Sequence, residues 1–216
     1  MSLALDGGGM PPAGFYLIVR GPLGAGKSTI ARRLARRLRG RYVSIDRILE
    51  ERDLERWEDG YISEASFLRA NEFAARAADR FLRHGTPAIV DGNFYWPRAI
   101  DDLIDRLPYA HAVLTLRLPV GKCRVRDAGR ARPLGDAAVR DVYRKVTSFD
   151  RGLRVDARGS IDEVVARALD AARLGGVRLP GPARTTRDRP AARRRRSPGR
   201  SGPARRRPSP TRARAR

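Results

Sequence analysis

Gly21-Pro22-Leu23-Gly24-Ala25-Gly26-Lys27-Ser28 carries the densest architectural information in this chain. It fits G-x-x-x-x-G-K-[ST], and it stands between an apolar run, Phe15 to Arg20, that reads as a strand and a segment that reads as a helix. That is the context a phosphate-binding loop requires. Glycines at this spacing let the backbone curl so that successive N–H groups converge on phosphate oxygens at a helix N-terminus. Lys27 is expected to reach the β- and γ-phosphates as a point charge, Ser28 to ligate Mg²⁺, and Gly21 to Thr29 as a run to bind the nucleotide. A chance match in a chain of this length is roughly a one-in-a-hundred event, so nucleoside triphosphate binding is the first expectation.

On the C-terminal side, Lys27 to Arg39 predicts a helix with Ile30, Ala31, Leu34, Ala35 and Leu38 on one face and Arg32, Arg33, Arg36 and Arg37 on a solvated one. Arg41 to Ile45 reads as a second strand, which puts Asp46 at its C-terminal end, the edge where open α/β sheets bind ligands. Arg47 to Arg56 reads as helix, Trp57 to Tyr61 as a turn, and Ser63 opens a long helix closed by Gly85. Thr86 to Val90 is the third expected strand, running into Asp91-Gly92-Asn93-Phe94-Tyr95-Trp96, after which Pro97 opens a helix at a tolerated position. His111 to Leu118 supplies a fourth strand and Leu153 to Asp156 a fifth. The latter is followed by a helix whose start carries the capping box Ser160-x-x-Glu163. Between them lie helices at Val120 to Ala128 and from Asp136, joined by Gly129 to Gly135. Five strands alternating with helices predict an α/β, three-layer fold: a five-stranded parallel sheet, helices on both faces, and a small helical lid.

The formal charge of +22 is unevenly spread. Residues 175 to 216 hold 15 Arg and a single acid, Asp188, for a charge of +14, which leaves +8 for residues 1 to 174. Without aromatics, and rich in Pro, Gly, Ser and Thr, residues 175–216 are expected to be a disordered tail. Residues 1–14 are expected to be a flexible N-terminal segment and residues 15–174 the folded domain. The single cysteine, Cys123, excludes an intrachain disulfide framework and a Cys-based zinc site, and a reducing cytoplasm fits. No signal peptide or run of about 20 apolar residues is visible, so no membrane partner is expected.

Taken together, the phosphate-binding loop, Val43-Ser44-Ile45-Asp46, Val90-Asp91-Gly92-Asn93-Phe94, and Arg126, Arg130 and Arg132 in a helical lid resemble the small P-loop kinases. The subgroup these residues are similar to holds the zeta-toxin-like, chloramphenicol-phosphotransferase-like and polynucleotide 5′-hydroxyl kinases. The similarity covers about Phe15 to Leu174. It implies transfer of the γ-phosphoryl group of ATP to a hydroxyl, with Mg²⁺. Asp46 then matches the carboxylate that orients or deprotonates the acceptor, and chemistry agrees, because an attacking hydroxyl must lose a proton to a group within reach. Asp91 matches the acid that holds Mg²⁺ with Ser28. Arg126 and Arg130 match catalytic lid arginines that stabilise charge on the transferred group, Arg132 a nucleotide contact, and Val155-Asp156 the place where related kinases touch adenine with backbone groups. Trp57, Tyr61, Asn93, Tyr95 and Trp96, together with Asp46, are candidates to line the acceptor pocket, since clustered aromatics with a few polar groups suit a sugar, a nucleoside or another small ligand, and core packing explains Trp57 and Trp96 nearly as well.

Three readings stay open: a small-molecule hydroxyl kinase, a polynucleotide 5′-hydroxyl kinase whose basic tail neutralises phosphates, and a nucleotide-dependent switch or nucleic-acid-binding ATPase. The first is expected, with the chain as a monomer or a dimer.

Overall fold

Phe15–Arg20 forms strand β1, and all six of its residues are buried, as the central strand of a parallel sheet covered on both faces requires. The computed structural model describes residues 14–179. The expected flexible N-terminal segment, apart from Gly14, and the expected disordered tail beyond residue 179 lie outside the described residues. After β1 come α1 (Lys27–Arg37), β2 (Arg41–Ser44), α2 (Ile45–Glu51), the short strands β3 (Trp57–Glu58) and β4 (Tyr61–Ile62), and α3 (Glu64–Leu82). The second half holds β5 (Ala88–Asp91), α4 (Pro97–Arg106), β6 (Ala110–Arg117), α5 (Val120–Ala128), α6 (Asp136–Thr147), β7 (Leu153–Asp156) and α7 (Ile161–Leu174).

The main sheet runs β2-β5-β1-β6-β7, with every neighbouring pair parallel. The chain therefore builds one side of β1 and then the other, and the crevice at that reversal, at the C-terminal ends of the strands, is where an open α/β sheet takes its ligand. Register fixes which side chains meet there. Val19 lies level with Asp91, Asp91 with Ser44, and Arg20 with Thr115.

Amphipathic helices cover the sheet as their spacing predicts. In α1, Ile30, Ala31, Leu34 and Ala35 are buried while Arg32, Arg33, Arg36 and Arg37 are exposed, and two of those arginines sit in the last turn, where the helix dipole favours positive charge. Asn71, buried in α3, donates from Nδ2 to the Ala99 carbonyl of α4 at 2.7 Å. The core does not end at residue 174: Val177 is buried and donates its N–H to the Ala172 carbonyl at 3.1 Å.

Three local readings are corrected. The second strand stops at Ser44, because that side chain accepts the Arg47 N–H and caps α2, a role suited to serine. Asp46 consequently stands in the first turn of a helix, not at a strand end. That helix closes at Glu51 rather than Arg56. The turn at Trp57 to Tyr61 is a β3–β4 hairpin whose central residues, Asp59 and Gly60, both have positive φ, 49° and 77°. This is the conformation Asp-Gly favours in a two-residue hairpin loop.

Candidate active site

The loop between β1 and α1 has the shape its glycines permit. Gly24 and Gly26 adopt φ of 78° and 88°, the region L-residues with a side chain avoid. A Cβ on Gly24 would also overlap the Cys123 backbone at the start of α5. The loop is thus wedged against the lid. Lys27, buried at 6 % exposure, donates from Nζ to the Pro22 carbonyl at 3.2 Å. Burial lowers its basicity, opposed by the nearby carboxylates of Asp46 and Asp91.

Asp46 accepts two hydrogen bonds from Asn93, from the backbone N–H and from Nδ2, both at 3.2 Å. Two residues expected to flank the acceptor are therefore joined directly. Burial pushes the Asp46 carboxyl up to about 6, with the Asp91 charge adding to the rise and the Lys27 ammonium opposing it. At neutral pH such a group is ionised yet basic enough to accept a proton.

Asp91 is buried at the end of β5, accepting from the Tyr42 hydroxyl at 3.1 Å and from Ser44 Oγ at 3.4 Å. Tyr42 also lies against the Ser28 hydroxyl, so it bridges the two expected metal-binding groups, and burial holds its phenol protonated. Among the described residues no group of three or more His, Cys, Asp or Glu could hold a metal. A hydroxyl and a carboxylate are nevertheless the hard oxygen donors Mg²⁺ takes when nucleotide phosphates and water complete its shell, so Ser28 and Asp91 fit that ion. Tyr42 and Ser44 were not singled out in the sequence. Their alternation along β2 toward the level of Asp91 is the signal that could have found them.

The lid arginines separate. Arg126 extends from α5 to the Ala25 carbonyl at 3.4 Å and the Ala157 carbonyl at 3.2 Å. With Gly26, Thr29, Ile30, Gly159, Ile161 and Val164 these residues line a cavity of about 250 Å³. Arg126 thus forms one wall of the cavity between the phosphate-binding loop and the β7–α7 turn. Arg130 is near enough to Lys27 for its charge to depress that ammonium, and its Nη1 lies 3.4 Å from Asp127. Asp127, 2 % exposed, was not anticipated: its Oδ2 accepts the backbone N–H groups of Leu134 and Gly135 at 3.0 and 3.1 Å and so shapes the lid loop. Arg132 is exposed on that loop, with no hydrogen bond to another described residue. Asp156 is absent from the cavity lining. Its carboxylate is held by the Arg158 guanidinium and N–H at the end of β7, which keeps it well ionised, down to about 2.

On the other side of Asp46, Tyr95 is buried edge-on against Tyr61 and Phe67, with ring centroids 5.8 and 5.3 Å away. Trp57, expected in the same wall, is 64 % exposed and stands outside that cluster. Trp96, expected in the same wall, is partly buried, and its indole N–H donates to the Ile62 carbonyl at 3.0 Å. The Lys145 ammonium of α6 caps this group, 3.5 Å from the Trp96 ring centroid and 5.0 Å from that of Tyr61. Arg20 ties the same C-terminal end of α6 to the sheet. Fully buried, it donates to the Val146 carbonyl at 2.6 Å and lies 4.0 Å from the Phe149 ring centroid. Burial lowers it to about 10.

Known proteins share this architecture. A gluconokinase from Sinorhizobium meliloti superposes with a TM-score of 0.56 at 17 % identity, over 77 % of this chain and 95 % of that one. A sugar kinase from a Janibacter species gives 0.62 at 18 % identity, over 75 % and 98 %. The Mycobacterium tuberculosis APS kinase, in complex with AMPPNP and APS, gives 0.57 at 17 % identity, over 76 % and 99 %. At these identities the likeness establishes the fold. No curated protein matches the chain significantly. The family model described as an AAA domain matches residues 17–149. That span holds the phosphate-binding loop, Asp46, Asp91, Asn93 and the lid arginines, and through it the chain belongs to the AAA domain family of P-loop NTPases.

Proposed function

We propose that the protein is a kinase that moves the γ-phosphoryl group of ATP to a hydroxyl of a small molecule. The observation that carries this reading is Asp46: a partly buried carboxylate, fixed by two Asn93 donors, raised to about 6, and near the buried Lys27 of the phosphate-binding loop. A protein that only sensed nucleotide would need the cradle without such a base.

In the step this geometry supports, the acceptor O–H gives its proton to Asp46 as its oxygen bonds to the γ-phosphorus. The bond from that phosphorus to the β–γ bridging oxygen breaks, and ADP leaves. Lys27 and Arg130 offset charge on the transferred group. Mg²⁺, held by Ser28 and Asp91, would supply further charge neutralisation at the phosphates. Arg126 and Thr29 flank the nucleoside, and Asn93, Tyr95 and Trp96 shape the acceptor side. The order Asp46 after β2, Asp91-Gly92-Asn93 after β5, and lid arginines after β6 supports a place in the zeta-toxin-like, chloramphenicol-phosphotransferase-like and polynucleotide-kinase-like subgroup.

The test is transfer of label from γ-labelled ATP with Mg²⁺ into nucleosides, sugars, phenicol-like and aminoglycoside-like compounds, and 5′-hydroxyl oligonucleotides. The full chain would be compared with one ending at residue 180, which keeps Val177 on the core. Labelled small molecule from both is the expected result. Label on oligonucleotides alone, requiring the Arg-rich tail, would replace the acceptor with a nucleic-acid end. Hydrolysis without transfer, stimulated by nucleic acid, would overturn the kinase.

A further inference from the structure

On α3, α4, α6 and α7, arginines pair with carboxylates of the same helix: Arg69 with Glu72, Arg106 with Asp102, Arg144 with Asp141 and Arg173 with Asp170. The outer face of α1 and the turn into β2 are built the other way. No Asp or Glu occurs from Lys27 to Ile45. Arg32, Arg33, Arg36, Arg37, Arg39 and Arg41 are all exposed, and none of their side chains forms a hydrogen bond or an ion pair with another described residue. Arginines four apart on one helix, as Arg32 and Arg36 or Arg33 and Arg37 are, repel each other. Nothing among the described residues offsets that repulsion.

Arg32, Arg36, Arg39 and Arg41, with Gly40 and Tyr42, line an open surface depression of about 590 Å³. Gly40 allows this convergence. A Cβ there would overlap the Pro87 carbonyl, so the glycine lets the turn pack against that residue and brings Arg39 and Arg41 to the same hollow. Arg39 is held at φ of 52°, the left-handed region that glycine occupies more readily at a helix end. The position thus keeps a guanidinium at a conformational cost. Arg32 lies 4.9 Å from the Tyr42 ring centroid and Arg41 5.2 Å from that of Phe81. A planar cation stacked in this way is fixed in place while its N–H edge stays free to donate.

Convergent guanidinium groups without carboxylate partners suit phosphate oxygens, which arginine bonds in bidentate fashion. Their spread separates the possible phosphate ligands. Arg32 and Arg36 stand about 6 Å apart along the helix, Arg39 and Arg41 continue past its end, and Arg33 and Arg37 flank the row. A single phosphate group does not span such a line of charge, and a nucleic-acid backbone does. The Tyr42 and Phe81 rings carry Arg32 and Arg41 on their faces, which leaves no aromatic platform there for unstacked bases. A duplex, with bases stacked inside and phosphates outward, fits better than a single strand.

We infer that this depression is a docking surface for the phosphate backbone of double-stranded nucleic acid, carried by the folded domain itself and not only by the Arg-rich sequence after residue 179. It needs neither nucleotide nor acceptor, so it stands or falls apart from the kinase reading. Fluorescence anisotropy of the full chain with a labelled, 5′-phosphorylated DNA duplex of about 20 base pairs, without ATP, tests it. The Arg-rich sequence is present in every sample and contributes equally to each. Arg32→Gln, Arg36→Gln, Arg39→Gln and Arg41→Gln combined are expected to raise the dissociation constant at least about tenfold near 100 mM salt, and to lower the slope of log affinity against log salt by about 3 to 4. A second variant loses the same charge elsewhere, through Arg69→Gln, Arg144→Gln, Arg154→Gln and Arg173→Gln, and is expected to keep its slope within about one of the parent. Equal losses in both variants would reduce the effect to net charge and overturn the surface. So would absence of binding by the parent, or parental affinity in the first variant when its circular dichroism and Tm show it folded. Release of the duplex by millimolar inorganic phosphate at constant ionic strength would reassign the hollow to a small phosphate ligand. Tighter binding of a single strand through the same arginines would refute the duplex.

Discussion

On the side of the cleft proposed for the nucleotide, the walls are backbone and largely apolar groups: glycines at positive φ, a curled loop, and a slot of Ala, Ile and Val with Thr29 beside Arg126. On the side proposed for the acceptor, the polar groups are side chains. Asp46, Asn93, Asp91, Tyr42 and Ser44 form hydrogen bonds among themselves, and Tyr61, Tyr95 and Trp96 close the wall under Lys145. The difference has a physical source. A triphosphate presents many equivalent oxygens that converging N–H groups satisfy regardless of side chain. An attacking hydroxyl needs one proton acceptor at one place with tuned basicity.

Asp46→Asn is the variant in which the two sides come apart most. It keeps the size of the side chain and removes the base, so phosphoryl transfer should fall roughly a thousandfold while the ATP dissociation constant stays within about threefold. Steady-state kinetics beside calorimetry read both, and near-parental turnover would remove Asp46 from the chemistry. The parent should also lose kcat/KM with unit slope as the pH drops below about 6, where Asp46 protonates. The residual activity of the variant should lack that limb.

Gly24→Ala attacks the nucleotide side through its backbone. The added Cβ meets the Cys123 backbone and the residue must hold φ of 78°, which together should cost about 3 kcal/mol, a Tm fall of roughly 6 to 12 °C. An unchanged melting curve would show that the loop is not wedged against α5.

The next effect concerns folding stability and distinguishes the acceptor side by its charge. Burial raises Asp46 above its unfolded value, so its contribution to stability is complete below the ordinary carboxylate range and is lost as pH climbs through about 6. Asp46→Asn should then exceed its parent in stability at pH 8, by roughly 2 to 3 kcal/mol, and lose that margin at pH 4. Urea titrations at the two pH values check this, and a margin that grows on acidification would reverse the sign.

Arg126→Ala leaves the Ala25 and Ala157 carbonyls without their donor and opens one wall of the cavity. ATP binding should weaken about tenfold, with kcat at saturating ATP within twofold. A kcat collapse at unchanged ATP affinity would instead return Arg126 to the reacting phosphoryl. The smallest change is expected for Tyr42→Phe, which removes one hydrogen bond to Asp91. It should alter the Mg²⁺ concentration for half-maximal activity by about two- to fivefold.

Much of this was legible along the chain, residue by residue. Phe15–Arg20 was read as a strand and is β1 to the residue, because a continuous apolar run before a glycine-rich turn has few other fates. Asp91 and Asn93 were visible as polar residues ending a buried run. Asp46 was found but placed on the wrong element, since the signal that ended its strand was a serine cap and not a break in apolar pattern. Asp127 was invisible: an ordinary polar residue near a helix end, whose partners are backbone N–H groups seven and eight positions later. Trp57 and Trp96 looked equivalent by composition, and the hairpin leaves one exposed and buries much of the other.

The phosphate cradle needs nothing beyond eight consecutive residues and the strand and helix that flank them, because glycine conformation, a helix N-terminus and one lysine are local properties. The parallel order of the strands follows almost as directly from the alternation of apolar runs. The basicity of Asp46, the parting of Arg126 from Arg130, and the bond from Arg126 to the Ala157 carbonyl beyond β7 depend on charges and donors brought together from segments tens of residues apart. Electrostatic and hydrogen-bonding effects act over a few ångströms of space, and sequence spacing carries no measure of that distance until the sheet has set its register.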